Sequence, residues 1–177
     1  MEFSTSIPGP AGTTATTLRT GGVLVALQDK NDSGKADVIE RFGETIQTGG
    51  HGGTGIALYR GAIYAEINDR IMRYSLSNGS IAPSGPSDTV ISGLPLGGDH
   101  PMHPFIIVAD GTMYVDVASA TNSCQLKNRT PRSPGLKPCT ELETRGGIWR
   151  YDAEKTNQSF SNAERYVTGI RNLTAKT

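Results

Sequence analysis

The 177-residue chain has no excess of charge of either sign: 17 Lys and Arg stand against 17 Asp and Glu. That balance argues against the basic stripe that holds nucleic acid and against electrostatic attachment to a membrane surface. No apolar run approaches the ~20 residues that a membrane-crossing helix needs, so no membrane insertion is expected. Helical periodicity is missing as well, since no long window keeps apolar residues at i, i+3 and i+4 spacing. The opening "MEFSTSIPGPAGTTATT" lacks a charged stretch followed by an apolar one. It therefore reads as a disordered leader over 1–19, with no secretory signal visible, ahead of a domain over 20–177.

Glycine is plentiful, at 22 residues, and it punctuates short β-rich runs. These are "GGVLVALQD", "ADVIERFG", "GIALYRGAIYAEIN", "RIMRYSLS", "TVISGL", "PFIIVADGTMYVDVA", "GGIWRYDAE" and "ERYVTGI". Two of them repeat: "RGAIYAEIN" matches "DGTMYVDVA", and the following strand "IMRYSL" matches "IWRYDA". Tyr64 and Tyr114 mark the period, about fifty residues, and the second unit carries a long insertion between its two strands. An all-β chain with this repeat predicts β-propeller blades of four antiparallel strands, a sandwich being the alternative. A closed propeller needs at least ~4 blades. This length holds about three, so a partial propeller, its N-terminal portion, is expected.

Four stretches carry candidate chemistry. "DKNDSGKADVIE" fits an acidic calcium loop, with oxygens at Asp29, Asn31, Ser33 and Asp37, the Lys35 carbonyl, a sharp turn at Gly34 and Glu40 in twelfth position. The same residues also make an ion-free turn. "TGGHGG" sets His51 among glycines that let a backbone approach a ligand closely. "GGDHPMHPF" holds His100 and His103, and Pro101 and Pro104 exclude a helical metal pair. A loop histidine beside Asp99 suits a general base, and a zinc site with His51 is the competing reading. In "TGIRN", Arg171 precedes Asn172, and a guanidinium can fork onto ligand oxygens. The two cysteines, Cys124 and Cys139, bracket a basic Pro- and Gly-rich loop and are expected to form a disulfide, which would point to an oxidising compartment.

Taken together, "GGDHPMHPFIIVADGTMYVDVASATNSC", "PCTELETRGGIWRYDA" and "ERYVTGIRN" resemble the soluble PQQ-dependent sugar dehydrogenases, and most of all the L-sorbosone dehydrogenase branch. The resemblance covers roughly residues 20 to 173 and only the N-terminal part of such an enzyme. It implies a six-bladed propeller, a periplasmic or secreted location, PQQ and calcium as cofactors, a small sugar as substrate and a separate electron acceptor. His100, ten residues before the Asp110–Gly111 turn, falls on the family's catalytic base, which removes the proton of the sugar C1 hydroxyl while hydride passes to the quinone. Arg171 and Asn172 match its Arg-Asn pair, with Arg171 polarising the quinone, and His51 falls near a glutamine that contacts PQQ. The aspartate that orients the family's histidine is replaced by Ser119, leaving Asp116 and Asp99 as other candidates. A non-catalytic propeller binding carbohydrate or protein, and a metal-dependent lactone hydrolase, are the competing readings.

Overall fold

The computed structural model describes residues 2–5, 23–43, 52–161 and 165–173, with the backbone alone at 2–5 and 52. His51 lies outside the described residues. No α-helix occurs among them, only one short 3-10 turn, Thr140–Glu143, and no helix is long and apolar enough to cross a membrane. The chain is all-β and forms three sheets in succession.

β1 (Glu2–Thr5), β2 (Leu24–Gln28) and β3 (Val38–Phe42) make the first, in that order. The segment expected to be a disordered leader thus contributes β1, which pairs antiparallel with β2. The middle sheet is a meander of β4 (Gly52–Tyr59), β5 (Ala62–Ile67), β6 (Arg70–Ser75) and β7 (Asp88–Ser92). The last has β8 (Phe105–Ile107), β9 (Thr112–Val117), β10 (Gly147–Asp152) and β12 (Arg165–Thr168). The β4–β5 turn is a two-residue hairpin in which Arg60 and Gly61 both take positive φ, 45° and 73°, so that its twist matches that of the strands.

One strand departs from the four-stranded antiparallel pattern. After β10 the chain leaves its own sheet, and β11 (Gln158–Ser159) adds a parallel edge to β7. Two main-chain bonds, Asn157 N–H to Thr89 O and Phe160 N–H to Ser92 O, fix it there, and Phe160 packs on Trp149. The sheets therefore hold three, five and four strands, and the described residues do not close into a barrel or propeller.

Every residue of β5 is buried, because the middle sheet is covered on both faces. Ile63, Ala65 and Ile67 join Leu24, Ala26, Phe42, Met72 and Tyr74 in a core against the first sheet. Ala62 and Tyr64 point the other way, into a core with Phe105, Met113, Val115, Val117, Trp149 and Tyr151 of the last sheet. Each of the Leu, Ile, Val, Met and Phe side chains among them contributes about 1.5–3 kcal/mol when fully buried. The repeat is visible here: Tyr64 donates its hydroxyl to Ala153 O across the sheet interface, whereas Tyr114 on the far face of β9 meets Tyr166.

Candidate functional site

His100 and His103, three residues apart, go to different places. Gly97 and Gly98, both at positive φ, turn the chain onto the end of β9, where Asp99 N–H bonds to Ala120 O. A Cβ on Gly98 would lie 2.7 Å from that carbonyl, so the approach requires glycine. Beyond this turn the His100 Nδ1 lies 3.0 Å from Ser119 O and 3.3 Å from Ser119 Oγ. A carbonyl only accepts, and the Ser119 hydroxyl is committed to Thr121 O, so Nδ1 carries the proton. In the neutral ring Nε2 then holds the lone pair, and it has no hydrogen-bond partner among the described residues.

Ser119 also joins the two segments predicted to carry the site. Its N–H donates to Arg171 O, so one residue contacts both the His100 ring and the Arg171 main chain. The Arg171 guanidinium bonds to Asn122 through Nε–H (2.8 Å, to the carbonyl) and Nη2–H (2.5 Å, to Oδ1). Asn172 follows it at the exposed surface. Of the three candidates for orienting His100, it is Ser119 that touches it. Asp99 turns instead to Asn128 Nδ2 and Arg129 Nε, at 3.0 and 2.8 Å. The Asn128 amide, assisted by Arg129 and the nearby His100 and opposed by desolvation, holds the Asp99 carboxyl below its ordinary value.

Sequence reasoning passed over Arg145. Its buried guanidinium reaches Ala118 O through Nε and both Gly97 O and His100 O through Nη2. It therefore clamps the main chain of the histidine loop to the end of β9. Desolvation lowers its pKa, against the opposing charge of Glu141. Nothing in "ETRGG" marks it beyond its position just before β10.

His103 is fully buried and takes no part in this arrangement. Its Nδ1 is 2.9 Å from Glu66 Oε1 and its Nε2 is 3.1 Å from Pro95 O. Glu66 also accepts the N–H of His103 at Oε1 and those of Thr54 and Gly55 at Oε2. It is the acceptor that ties the middle sheet to the strand entering the last one. Asp116 occupies the matching place in the second unit, two residues beyond the repeated tyrosine. Its Oδ2 accepts Leu173 N–H, but Oδ1 is buried without a partner, beside a cavity of about 180 Å³ lined by Phe105, Tyr114 and Leu173. Desolvation raises the Asp116 pKa, moderated by the Leu173 N–H and the charges of His103 and His100.

A group raised in this way adds stability below its ordinary value, near 3.9, and loses that share as the pH rises through the raised one. Asp116→Asn is therefore expected to melt a few degrees above the parent at pH 7, with the difference shrinking as the pH falls toward 4. Differential scanning fluorimetry across that range checks this, and a gain independent of pH would exclude the assignment.

At the other end of the chain, the predicted calcium-loop oxygens of residues 29–37 are engaged with the loop's own backbone. Asp29 accepts the N–H groups of Asn31, Ser33 and Gly34, Asn31 Oδ1 accepts that of Ser33, and Ser33 Oγ donates to Lys35 O. Against a desolvation cost, the Gly34, Ser33, Asn31 and Asp32 N–H groups hold the Asp29 carboxyl below its ordinary value. Asp37 accepts Lys30 N–H at its Oδ1. Glu40, the expected twelfth-position ligand, lies instead in the β2–β3 ladder opposite Ala26, three residues after Asp37. Among the described residues the one cluster of three ligand-type groups is Cys124, Cys139 and Glu141, and its two sulfurs are bonded to each other.

These features define an all-β chain of packed sheets, antiparallel except at β11, in which Ser119 contacts both the His100 ring and the Arg171 main chain at the end of the last sheet. No family model matches it, and no curated protein does. Solved structures share its fold. The calcium structure of Trichoderma reesei Carbohydrate-Active Enzymes Family AA12 aligns at TM-score 0.60 and 16% identity, over 96% of this chain and 44% of that one. The iodide structure of the same family aligns at TM-score 0.56 and 16% identity, over 92% and 41%. The holo form of the pyranose dehydrogenase PQQ domain from Coprinopsis cinerea aligns at TM-score 0.59 and 16% identity, over 88% and 36%. The chain spans less than half the length of each.

Proposed function

We propose that this chain is part of a PQQ-dependent oxidoreductase acting on a sugar of the aldose or sorbosone type, built on a partial β-propeller. The observation that carries the reading is the fixed tautomer of His100, whose Nδ1–H is spent on Ser119 and whose Nε2 is left open. To that nitrogen we assign the removal of the proton of a sugar C1 hydroxyl. When bound, PQQ supplies the hydride acceptor. Arg171 would hold it through the N–H groups of Nη1, since Nε and Nη2 bond to Asn122, with Asn172 the next residue in the chain. A guanidinium would there stabilise negative charge on a carboxylate or quinone oxygen. His51 is a further candidate contact. Calcium would use the remaining lone pairs of Asp29 and Asn31 and the Lys35 carbonyl. The Cys124–Cys139 disulfide supports a periplasmic or secreted location.

Titration of the chain with PQQ, with and without calcium, tests the reading by absorbance and calorimetry. Saturable binding that weakens at least tenfold in Arg171→Ala is expected, in line with ~1.5–3 kcal/mol for a charged hydrogen bond. Binding indifferent to that substitution would remove Arg171 from the site, and absence of binding would remove PQQ.

A further inference from the structure

The insertion that distinguishes the second repeat unit has no task in the sheet. The first unit joins β5 to β6 through Asn68 and Asp69 alone, and its register is as regular as that of β9 and β10, which are joined through residues 118–146. Yet the insertion is a built object. Cys124 and Cys139 close it, Gln125 bridges to Gly135, and Leu126 and Leu136 N–H bond to Pro134 O and Cys124 O. It also forms a wall of the site: Asn128 and Arg129 grip Asp99, next to His100, and Asn122 grips Arg171.

Its charge is one-sided. Between the cysteines stand Lys127, Arg129, Arg132 and Lys137 and no acid, in a chain whose charges balance only as a whole. Arg129 is paired with Asp99, whereas Lys127, Arg132 and Lys137 are exposed and make no ion pair among the described residues. Leu126 and Leu136 are exposed on the same loop. A rigid rim of unpaired cations beside a sugar site fits a ligand with several carboxylates, and exposed leucines fit the C–H faces of sugar rings.

We infer that the disulfide-locked loop is a binding surface for an anionic carbohydrate, an oligomer of uronic acid units whose end reaches His100. The inference rests on the reading of the site as one that acts on sugar, but its test does not need PQQ. Calorimetry of the full chain with an oligogalacturonate, and with a neutral maltooligosaccharide of equal length, reads it directly. Binding of the charged oligomer alone is expected, weakening at least tenfold between ~0.05 and ~0.5 M salt as the Debye length shortens. The variant K127E/R132E/K137E is expected to lose at least tenfold in affinity, and K127Q/R132Q/K137Q less, with unchanged melting curves showing that both fold. Equal binding of the neutral oligomer, undiminished binding by the charge-reversed variant, or capture of an acidic protein but not the oligouronate would each overturn the inference. A chain that binds oligouronate but not PQQ keeps this surface and loses the oxidoreductase reading. The opposite result loses the surface and keeps the reading.

Discussion

Glu66→Ala is expected to cost about 3–5 kcal/mol of folding stability, because it leaves four buried donor groups without their acceptor at about 1–3 kcal/mol each, only partly additive. The residue is 3% exposed and His103 is 0% exposed, so neither can turn to water. The substitution strands the His103 N–H and ring at one edge of the carboxylate, and the Thr54 and Gly55 N–H groups at the other. At ~2–4 °C per kcal/mol for a chain of this size, the melting temperature falls by about 6–20 °C. Thermal and urea unfolding measure it. A loss below ~1 kcal/mol would mean that water replaces the carboxylate and that the sheet junction is not held by this pair. Asp116→Asn, at the matching position of the second unit, moves the other way at neutral pH. The contrast follows from what meets each carboxylate: four donor groups at Glu66, and the single Leu173 N–H at Asp116.

His100→Ala, in the length of protein that turns over, is expected to lower kcat by about 10²–10⁴ with PQQ binding retained, as general-base removal does. The comparison with Ser119→Ala sharpens it. The Nδ1 acceptor at 3.0 Å is the Ser119 carbonyl, which alanine keeps, so Ser119→Ala is expected to retain most of the activity. Stopped-flow reduction of the bound quinone with an aldose measures both. A His100→Ala enzyme with parental turnover would end the assignment of His100 as base.

The strands were legible because their signals are local. Tyr64 and Tyr114 repeat on equivalent strands, β5 and β9, of two different sheets, each shortly after a glycine at positive φ. His100 and Arg171 could be named as candidates, and the expected disulfide is formed. The contact between them could not be read, because it runs through a main-chain carbonyl and N–H of Ser119, and backbone groups leave no mark in residue identity. The role of His103 was hidden for a related reason: Glu66 lies 37 residues away and sits in an ordinary alternating strand. Arg145 was passed over because its three acceptors are all carbonyls. The parallel β11 escaped too, since two residues of ladder carry no periodicity. Where β1 falls, a stretch rich in small residues and threonine masked a strand that a partner strand can template.

β11 has a consequence for how the repeat behaves as a unit of inheritance. The strand is encoded after β10 but completes the sheet encoded before it. Excising or transplanting the second unit at the sequence boundary of the repeat would leave its neighbour with a bare edge at Ile91 and Ser92. The exchangeable module is therefore offset from the repeat, with its seams inside β-sheets rather than between them, and a graft cut after Ser159, which bares β10 where β12 is lost, is expected to be more soluble than one cut after Asp152, which bares β7 as well.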